Sequence, residues 1–351
     1  MLAAPEKYRF QALYSVVREG TKKTVERHGF RTDAEYFFPA SSMKMPIALA
    51  TYEYFADLRK RGKSAFTRDA ALRLQPNTAG DDSLVTTLAQ ETWRALIVSD
   101  NFSANRLLGI VGHREAHETL WSLGLASVRI RTGFATGEDI GPAETSPRVD
   151  AMNGSKVVDE LAPRQSNLGL PPNDATKLDV GTSRIEAGVR KEGPLSFADK
   201  NAIALRDLQD TLLRIMRPEL LPAGSKADLA SADDIAYLRK TLGTLPSVSG
   251  LAGYERNVVA DYQLIPFLRG LERVRPRGRF EIYSKVGQAY GFLIANAYVV
   301  DKDTGRAFFL TACIYANPDE TMNDDVYAYD TIAFPALADV GEAFFRHAIA
   351  N

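Results

Sequence analysis

A serine at position 41 is followed three residues later by a lysine, in Ser41-Ser42-Met43-Lys44. On a helix, a three-residue offset sets two side chains on one face, within reach of each other. A serine hydroxyl is a poor nucleophile until a neighbour takes its proton, and a lysine takes it only where burial or nearby cations keep the amine uncharged. Met45, Ile47, Leu49, Tyr52, Phe55 and Leu58 recur at three- and four-residue spacing, so Ser41 opens a predicted helix as its cap. The start of a helix offers free backbone N–H groups and a positive end, which favour negative charge developing nearby. Taken alone the match is weak, because this spacing arises by chance roughly once or twice in a chain of this length.

Two further elements add to it. Ser99-Asp100-Asn101 follows the apolar stretch Trp93 to Val98 and precedes another helical run. This triplet is expected by chance in only about one such chain in twenty. A helix cap is the ordinary explanation; the chemical one gives Ser99 a proton-relay role and Asn101 an amide that grips a substrate carbonyl. Ser284-Lys285-Val286-Gly287 ends the predicted strand Phe280 to Tyr283. There Lys285 would supply a fixed positive charge, and Gly287 would let a substrate backbone lie close along the strand edge.

In this order and these contexts, the three elements resemble the active-site signature of penicillin-binding proteins and class A β-lactamases. The separation from Ser41 to Ser99 and the segment Asn201 to Leu208 are also similar to class A enzymes, and the resemblance runs from about Tyr8 to His347. It implies that Ser41 attacks a carbonyl and forms an acyl-enzyme and that Lys44 takes its proton. Ser99, helped by Lys285, would pass a proton to the leaving nitrogen. The N–H groups of Ser41 and Gln288 would form the oxyanion hole, and Asn101 would orient the substrate amide. It also implies a periplasmic or secreted enzyme acting on a small-molecule or peptidoglycan-like substrate, with no cofactor.

Three features depart from that pattern. Val286 stands where the family carries a hydroxyl that helps to bind the substrate carboxylate; Ser284 or Gln288 are the residues placed to compensate. No Glu-x-x-x-Asn, the deacylating motif of class A enzymes, occurs between Asn101 and Lys285, and alignment puts Phe134 near the glutamate's place, with Glu138 and Glu144 not far off. Extra sequence in 133–194 and 218–279 lengthens the path from Ser99 to Lys285. The expectation is therefore acylation with slow or absent β-lactam turnover, and the alternative is a penicillin- or peptidoglycan-fragment-binding protein without efficient turnover.

A metal-dependent hydrolase is the other chemical alternative. His113 and His117 fall at i and i+4, a spacing able to hold a metal, but no third ligand is evident and an exposed helix face explains them as well. A Ser-His-Asp esterase is disfavoured, since no Gly-x-Ser-x-Gly elbow exists and His28 and His347 read as surface residues.

These residues need a scaffold, and the 351-residue chain, 45% hydrophobic, can bury a large core. With 43 basic against 44 acidic residues there is no surplus of charge to suit nucleic acid. No stretch approaches the roughly 18 apolar residues of a membrane span, and Cys313, the only cysteine, lies in an apolar run. Met1 to Pro5 lacks the basic and apolar segments of a secretory signal, which fits a cytoplasmic protein or a mature exported one. Strand patterns at Tyr8–Val17 and onward to Phe38, and again at Phe280–Tyr283, Tyr290–Val300 and Ala307–Tyr315, bracket helical patterns at 84–108, 113–123, 201–216, 232–242 and 262–274. A terminal helix follows near 330–349, and 133–194 reads as an irregular excursion. The fold class expected is α/β (α+β), of the β-lactamase/DD-peptidase type: an antiparallel sheet from both termini, flanked by helices, with a helical subdomain inserted. The expected division is 1–40 with 218–351 as the α/β part and 41–217 as the mainly helical part.

Overall fold

The computed structural model describes residues 4–20, 23–75, 83–134 and 145–350. Glu138 and Glu144 lie outside the described residues, as does part of the 133–194 excursion. A five-stranded antiparallel sheet draws on both ends of the chain: β1 (Gln11–Arg18) and β2 (Thr24–Phe30) from one, β3 (Phe280–Ala289), β4 (Phe292–Asp301) and β5 (Ala307–Tyr315) from the other. Its order is β3-β4-β5-β1-β2, so β3 is an edge strand. The sheet is apolar on both faces because successive side chains alternate between two cores. On β4, Leu293, Ala295, Ala297 and Val299 face one core, while Phe292, Ile294 and Tyr298 face the other.

The helices are α1 (Lys44–Lys60), α2 (Leu88–Ile97), α3 (Asn101–Val111), α4 (His113–Ser122), α5 (Leu205–Met216), α6 (Ala232–Gly243), α7 (Leu268–Glu272) and α8 (Phe334–Ala350). Residues of α7 and α8 fill the first core, and those of α1 and α5 the second. A buried polar network ties α5 to the sheet: Gln209 accepts from the Ser15 hydroxyl and donates to Leu13 O and Thr311 Oγ1, while Asn296 donates to Leu208 O. Helix α1 is buried around nearly its whole circumference, which a helix dense in Ala, Ile, Leu, Met, Tyr and Phe permits.

Several elements differ from the sequence expectation. Residues 84–108 are not one helical run: Leu84–Thr86 is a strand, and Ser99-Asp100 breaks what remains into α2 and α3. The stretch after residue 144 is built of short strands. Ala71–Gln75 pairs with Leu84–Thr86 and with Arg148–Asn153, which pairs in turn with Lys156–Leu161; Ser183–Glu186 and Val189–Glu192 form a hairpin beside Thr321–Met322. Cross-strand charge supports the first of these sheets, because buried Asp150 accepts from Arg73, Gln75 and Arg148. The Ser284-to-Gly287 element lies inside β3 rather than at its end. Among the described residues no helix is long and apolar enough to cross a membrane.

His113 and His117 are buried, not exposed as a helix face would leave them. Trp121, one turn on, packs edge-on against His117. The two imidazoles bind the chain passing beside α4: His117 Nε2 accepts from Ile130 N–H at 2.9 Å, His117 Nδ1–H donates to His113 O at 2.7 Å, and His113 Nε2–H donates to Ile130 O. With both nitrogens of His117 committed to the backbone, no lone pair is offered to a metal. Burial pushes His117 down from 6.5 to about 3 and lowers His113 as well. Below pH 6.5 the unfolded chain therefore takes up protons that the folded one refuses, and stability falls as pH drops towards 3. The slope approaches about 1.4 kcal/mol per pH unit from His117. Urea unfolding at pH 7.5 and pH 5 should register this loss, and it should be smaller in a His117→Gln variant; an identical pH dependence in both proteins refutes the assignment.

Candidate active site

The chain enters the site through Phe37, Phe38 and Pro39, then turns sharply at Ala40, whose φ of 47° is left-handed. Residues Ala40–Met43 form a single tight 3-10 turn that runs into α1. In such a turn residues i and i+3 eclipse, so Ser41 and Lys44 share a side. The neighbouring serine is spent on structure, since buried Ser42 donates its hydroxyl to Pro39 O at 2.6 Å. Ser41 is partly exposed, and its hydroxyl makes no hydrogen bond among the described residues.

Ser99 is held by strain and capping together. Its φ of 61° is left-handed, an unfavourable conformation for a residue with a Cβ. Asp100 fixes the corner by accepting from Ser103 N–H at 2.6 Å as the cap of α3. The corner points Ser99 Oγ at two amines. Lys285 Nζ lies 2.9 Å away and Lys44 Nζ 3.2 Å away. Lys44 also reaches Ser99 O and, at 2.6 Å, Asn101 Oδ1. Asn101 is otherwise exposed on the first turn of α3, which leaves its amide NH2 facing outward.

Both lysines are buried, 0% and 1% exposed, and neither forms an ion pair with a carboxylate among the described residues. Burial pushes Lys44 down from 10.5 to about 7, against an upward pull from Asp100. Burial pushes Lys285 well below its ordinary value too, and the charge of Lys44 adds to the effect. Two ammonium groups on one hydroxyl, with no carboxylate paired to either among the described residues, oppose each other, which favours loss of the proton from one amine. A neutral Lys44 has a consistent set of bonds: its two N–H groups donate to Ser99 O and Asn101 Oδ1, and its lone pair receives the Ser99 hydroxyl, which itself accepts from Lys285. Lys285 is thus not a freely presented cation; its remaining donor contact is Val286 O at 3.0 Å.

Strand β3 is aligned by its hairpin. Tyr290 and Gly291 form the two-residue turn with φ of 53° and 78°, the signature of a type I′ turn. Ala289 and Phe292 close it, so hydrogen-bonded pairs fall at 289, 287 and 285, and the N–H of Gln288 points away from β4 to the open edge. Beside that edge lies the Ser41 turn. A Cβ on Gly287 would stand 2.3 Å from Pro39 O and 3.0 Å from Ser42 N, so Gly287 makes room for the chain's own backbone. Free N–H groups of a helix start and of Gln288 thereby share one edge.

Val286 and Ser284 occupy the other face of β3, where Val286 packs with Leu293 and α8 in the first core. Ser284 Oγ is buried there without a hydrogen-bond partner, so it is not a cleft hydroxyl that replaces the one absent at 286. Gln288 is exposed. One participant was not singled out by the sequence: Asn105, one turn beyond Asn101 on α3, accepts from Phe134 N–H at 2.9 Å. The Phe134 ring centre then lies 5.2 Å from Lys44 Nζ. The signal was the i, i+4 spacing of the two asparagines.

Residues 16–232 match the family model described as the β-lactamase enzyme family. The chain belongs to the β-lactamase enzyme family. As a member it is a serine hydrolase of the β-lactamase and DD-peptidase type. Its fold is similar to that of the chromosome-encoded β-lactamase of Vibrio parahaemolyticus, with a TM-score of 0.52 at 16% identity over 99% of this chain and 96% of that one. The class A β-lactamase of Mycobacterium abscessus gives 0.52 at 17% identity over 99% and 97%, and a β-lactamase of Burkholderia vietnamiensis 0.54 at 14% over 99% and 94%. No curated protein matches the chain. The mixed α and β architecture of this β-lactamase relative is the one expected from its sequence.

Gly287→Ala should force β3 and the Ser41 turn of this family member apart. The expected result is a fall of about 10²-fold in the rate of serine acylation, the order lost with one oxyanion donor. Stopped-flow acylation at the wild-type rate by a folded Gly287→Ala protein contradicts this role.

Proposed function

We propose that the protein is an acyl-transferring serine hydrolase in which Ser41 is the nucleophile and Lys44, Ser99 and Lys285 move its protons, with an amide, lactam or ester as acyl donor. The observation that carries this reading is the convergence of two buried amines on Ser99 Oγ beside the Ser41 turn. Ser41 Oγ attacks the carbonyl carbon, and its proton passes to the neutral Lys44 amine as the Ser99 hydroxyl hydrogen turns from that amine toward the leaving atom. The carbonyl electron pair moves to oxygen, where the N–H groups of Ser41 and Gln288 receive the charge. When the carbon–nitrogen or carbon–oxygen bond breaks, the proton returns through Ser99 to the leaving atom, with Lys285 supporting the Ser99 oxygen. Asn101 offers its free amide N–H groups to the acyl donor, and Gly287 keeps the two donor-bearing segments together. The unbonded Ser41 hydroxyl suits a resting site, since such contacts tighten only when substrate arrives.

A second reading, capture of a penicillin or peptidoglycan fragment without efficient turnover, is favoured by the absence of any carboxylate hydrogen-bonded to Lys44, Ser99 or Lys285 among the described residues. Among the described residues, a water attacking the acyl ester finds no such base hydrogen-bonded to these groups to accept its proton. Family membership also favours action in the periplasm or outside the cell.

Intact-mass measurement after exposure to a labelled penicillin, a cephalosporin and a simple ester separates these readings. A persistent adduct on wild type, absent from Ser41→Ala and Lys44→Met, is expected. Equal labelling of wild type and Ser41→Ala would end the assignment of the nucleophile, and rapid loss of the adduct would favour the hydrolase over the binder.

A further inference from the structure

Phe134 stands where an acid was sought, and it is fastened rather than merely present. Its N–H donates to Asn105 Oδ1. The residues leading to it are clamped from the other side by buried Asn201, whose Oδ1 accepts from the N–H groups of Arg131 and Thr132, at 2.6 and 2.9 Å, and whose Nδ2 donates to Thr132 O. The ring is partly buried against the second core and lies beside the Lys44 amine. Among the described residues the amine's polar contacts are Ser99 O, Ser99 Oγ and Asn101 Oδ1, and the Phe134 ring shields it from another direction.

We infer that Phe134, anchored by Asn105, is a positioning residue that keeps water from the Lys44 amine and so holds it as a neutral base while prolonging the life of an acyl group on Ser41. The ring acts in two opposed ways. Its face attracts an ammonium, which favours the charged form; its bulk excludes the water that would solvate that charge, which disfavours it. Lys44 lies below its ordinary value with burial as the leading cause, so exclusion of water prevails. Among the described residues the charged groups facing the amine are Lys285 from β3, which opposes its charge, and Asp100 from the α2–α3 corner, which favours it. Its partner on α3, Asn101, is uncharged.

The same exclusion bears on hydrolysis. For an ester on Ser41 to be released, a water oxygen must bond to the carbonyl carbon, its proton must pass to a base, and the bond to Ser41 Oγ must break with a proton returned to that oxygen. The amine takes a proton from Ser41 or Ser99 on its polar side, but not from a water on the side that the Phe134 ring covers. Acylation is served and deacylation is not. The part of this inference that concerns the acyl group rests on Ser41 being the nucleophile; the part that concerns Lys44 does not.

The test separates the two. Carbon-13 lysine NMR, with the Lys44 resonance assigned by its loss in Lys44→Met, follows the titration of the amine in wild type, Phe134→Ala and Phe134→Tyr. The midpoint should rise by about one pH unit or more in Phe134→Ala, where water enters, and stay in place in Phe134→Tyr, where the ring remains. Phe134→Gln, which keeps most of the volume while admitting water, carries the same expectation as alanine should the alanine variant fail to fold. In parallel, the penicilloyl adduct should decay about tenfold or more faster in Phe134→Ala than in wild type. An unchanged midpoint in the folded alanine or glutamine variant overturns the role of Phe134. A wild-type protein that takes no acyl label overturns the nucleophile assignment, and the titration then decides the role of Phe134 by itself.

Discussion

A hydroxyl shared by two buried amines, with no carboxylate paired to them among the described residues, is the arrangement on which the rest of this structure depends. Taking an ammonium out of water is costly, and a protein ordinarily answers with a paired acid or with loss of the proton. Here it is the proton that gives way, and an amine that has lost its proton is a base. An uncharged amine near neutral pH is in that sense a by-product of the site's dryness. Lys44 and Lys285 lie where they do because α1 is embedded in the core and because β3, though at the edge of its sheet, is covered by the Ser41 turn and the Ser99 corner.

The fold supplies this by bringing together segments remote in sequence; Ser99 and Lys285 are 186 residues apart. Each segment is braced locally. The Ser41 turn is tightened by Ser42 on Pro39, the Ser99 corner by the Asp100 cap, and the strand lysine by the hairpin behind it. The braces are polar and short-range, while the apolar cores on either face of the sheet set the distances between them. The Gln209 network pins α5 to the sheet, and with it the layer of helices in which α1 sits.

Much of this was legible in the residues. Ser41, Lys44, Ser99, Asn101 and Lys285 announce themselves because each sits at an element boundary or on a strand whose pattern is strong, and the mixed α and β class follows from strand patterns at both ends. What escaped did so for physical reasons. The strands between residues 145 and 196 are two to six residues long and carry mostly polar side chains, so the pairing of the first sheet through Asp150 and its arginines leaves no alternation of apolar residues to read. The histidine pair looks polar in composition, yet a neutral imidazole with both nitrogens bonded to backbone is content in a core. The spacing of Asn105 from Asn101 sets both on one face of α3, but its partner Phe134 approaches it only in three dimensions. Gly287 was read as space for a ligand, whereas its missing side chain is filled by Pro39 and Ser42.

The two-residue turn at Tyr290 and Gly291 limits how this chain can change length. Side chains on a strand alternate faces, so adding or deleting one residue between Lys285 and that turn would carry the lysine through the sheet into the layer beneath α8 and present Val286 or Ser284 in its stead. Long insertions are absorbed elsewhere, between α5 and β3 and around the short strands, where no catalytic side chain depends on parity. Divergence by insertion and deletion is therefore open over much of the molecule and closed over the few residues from Lys285 to Phe292, and descendants of this sequence should differ in loop length everywhere except there.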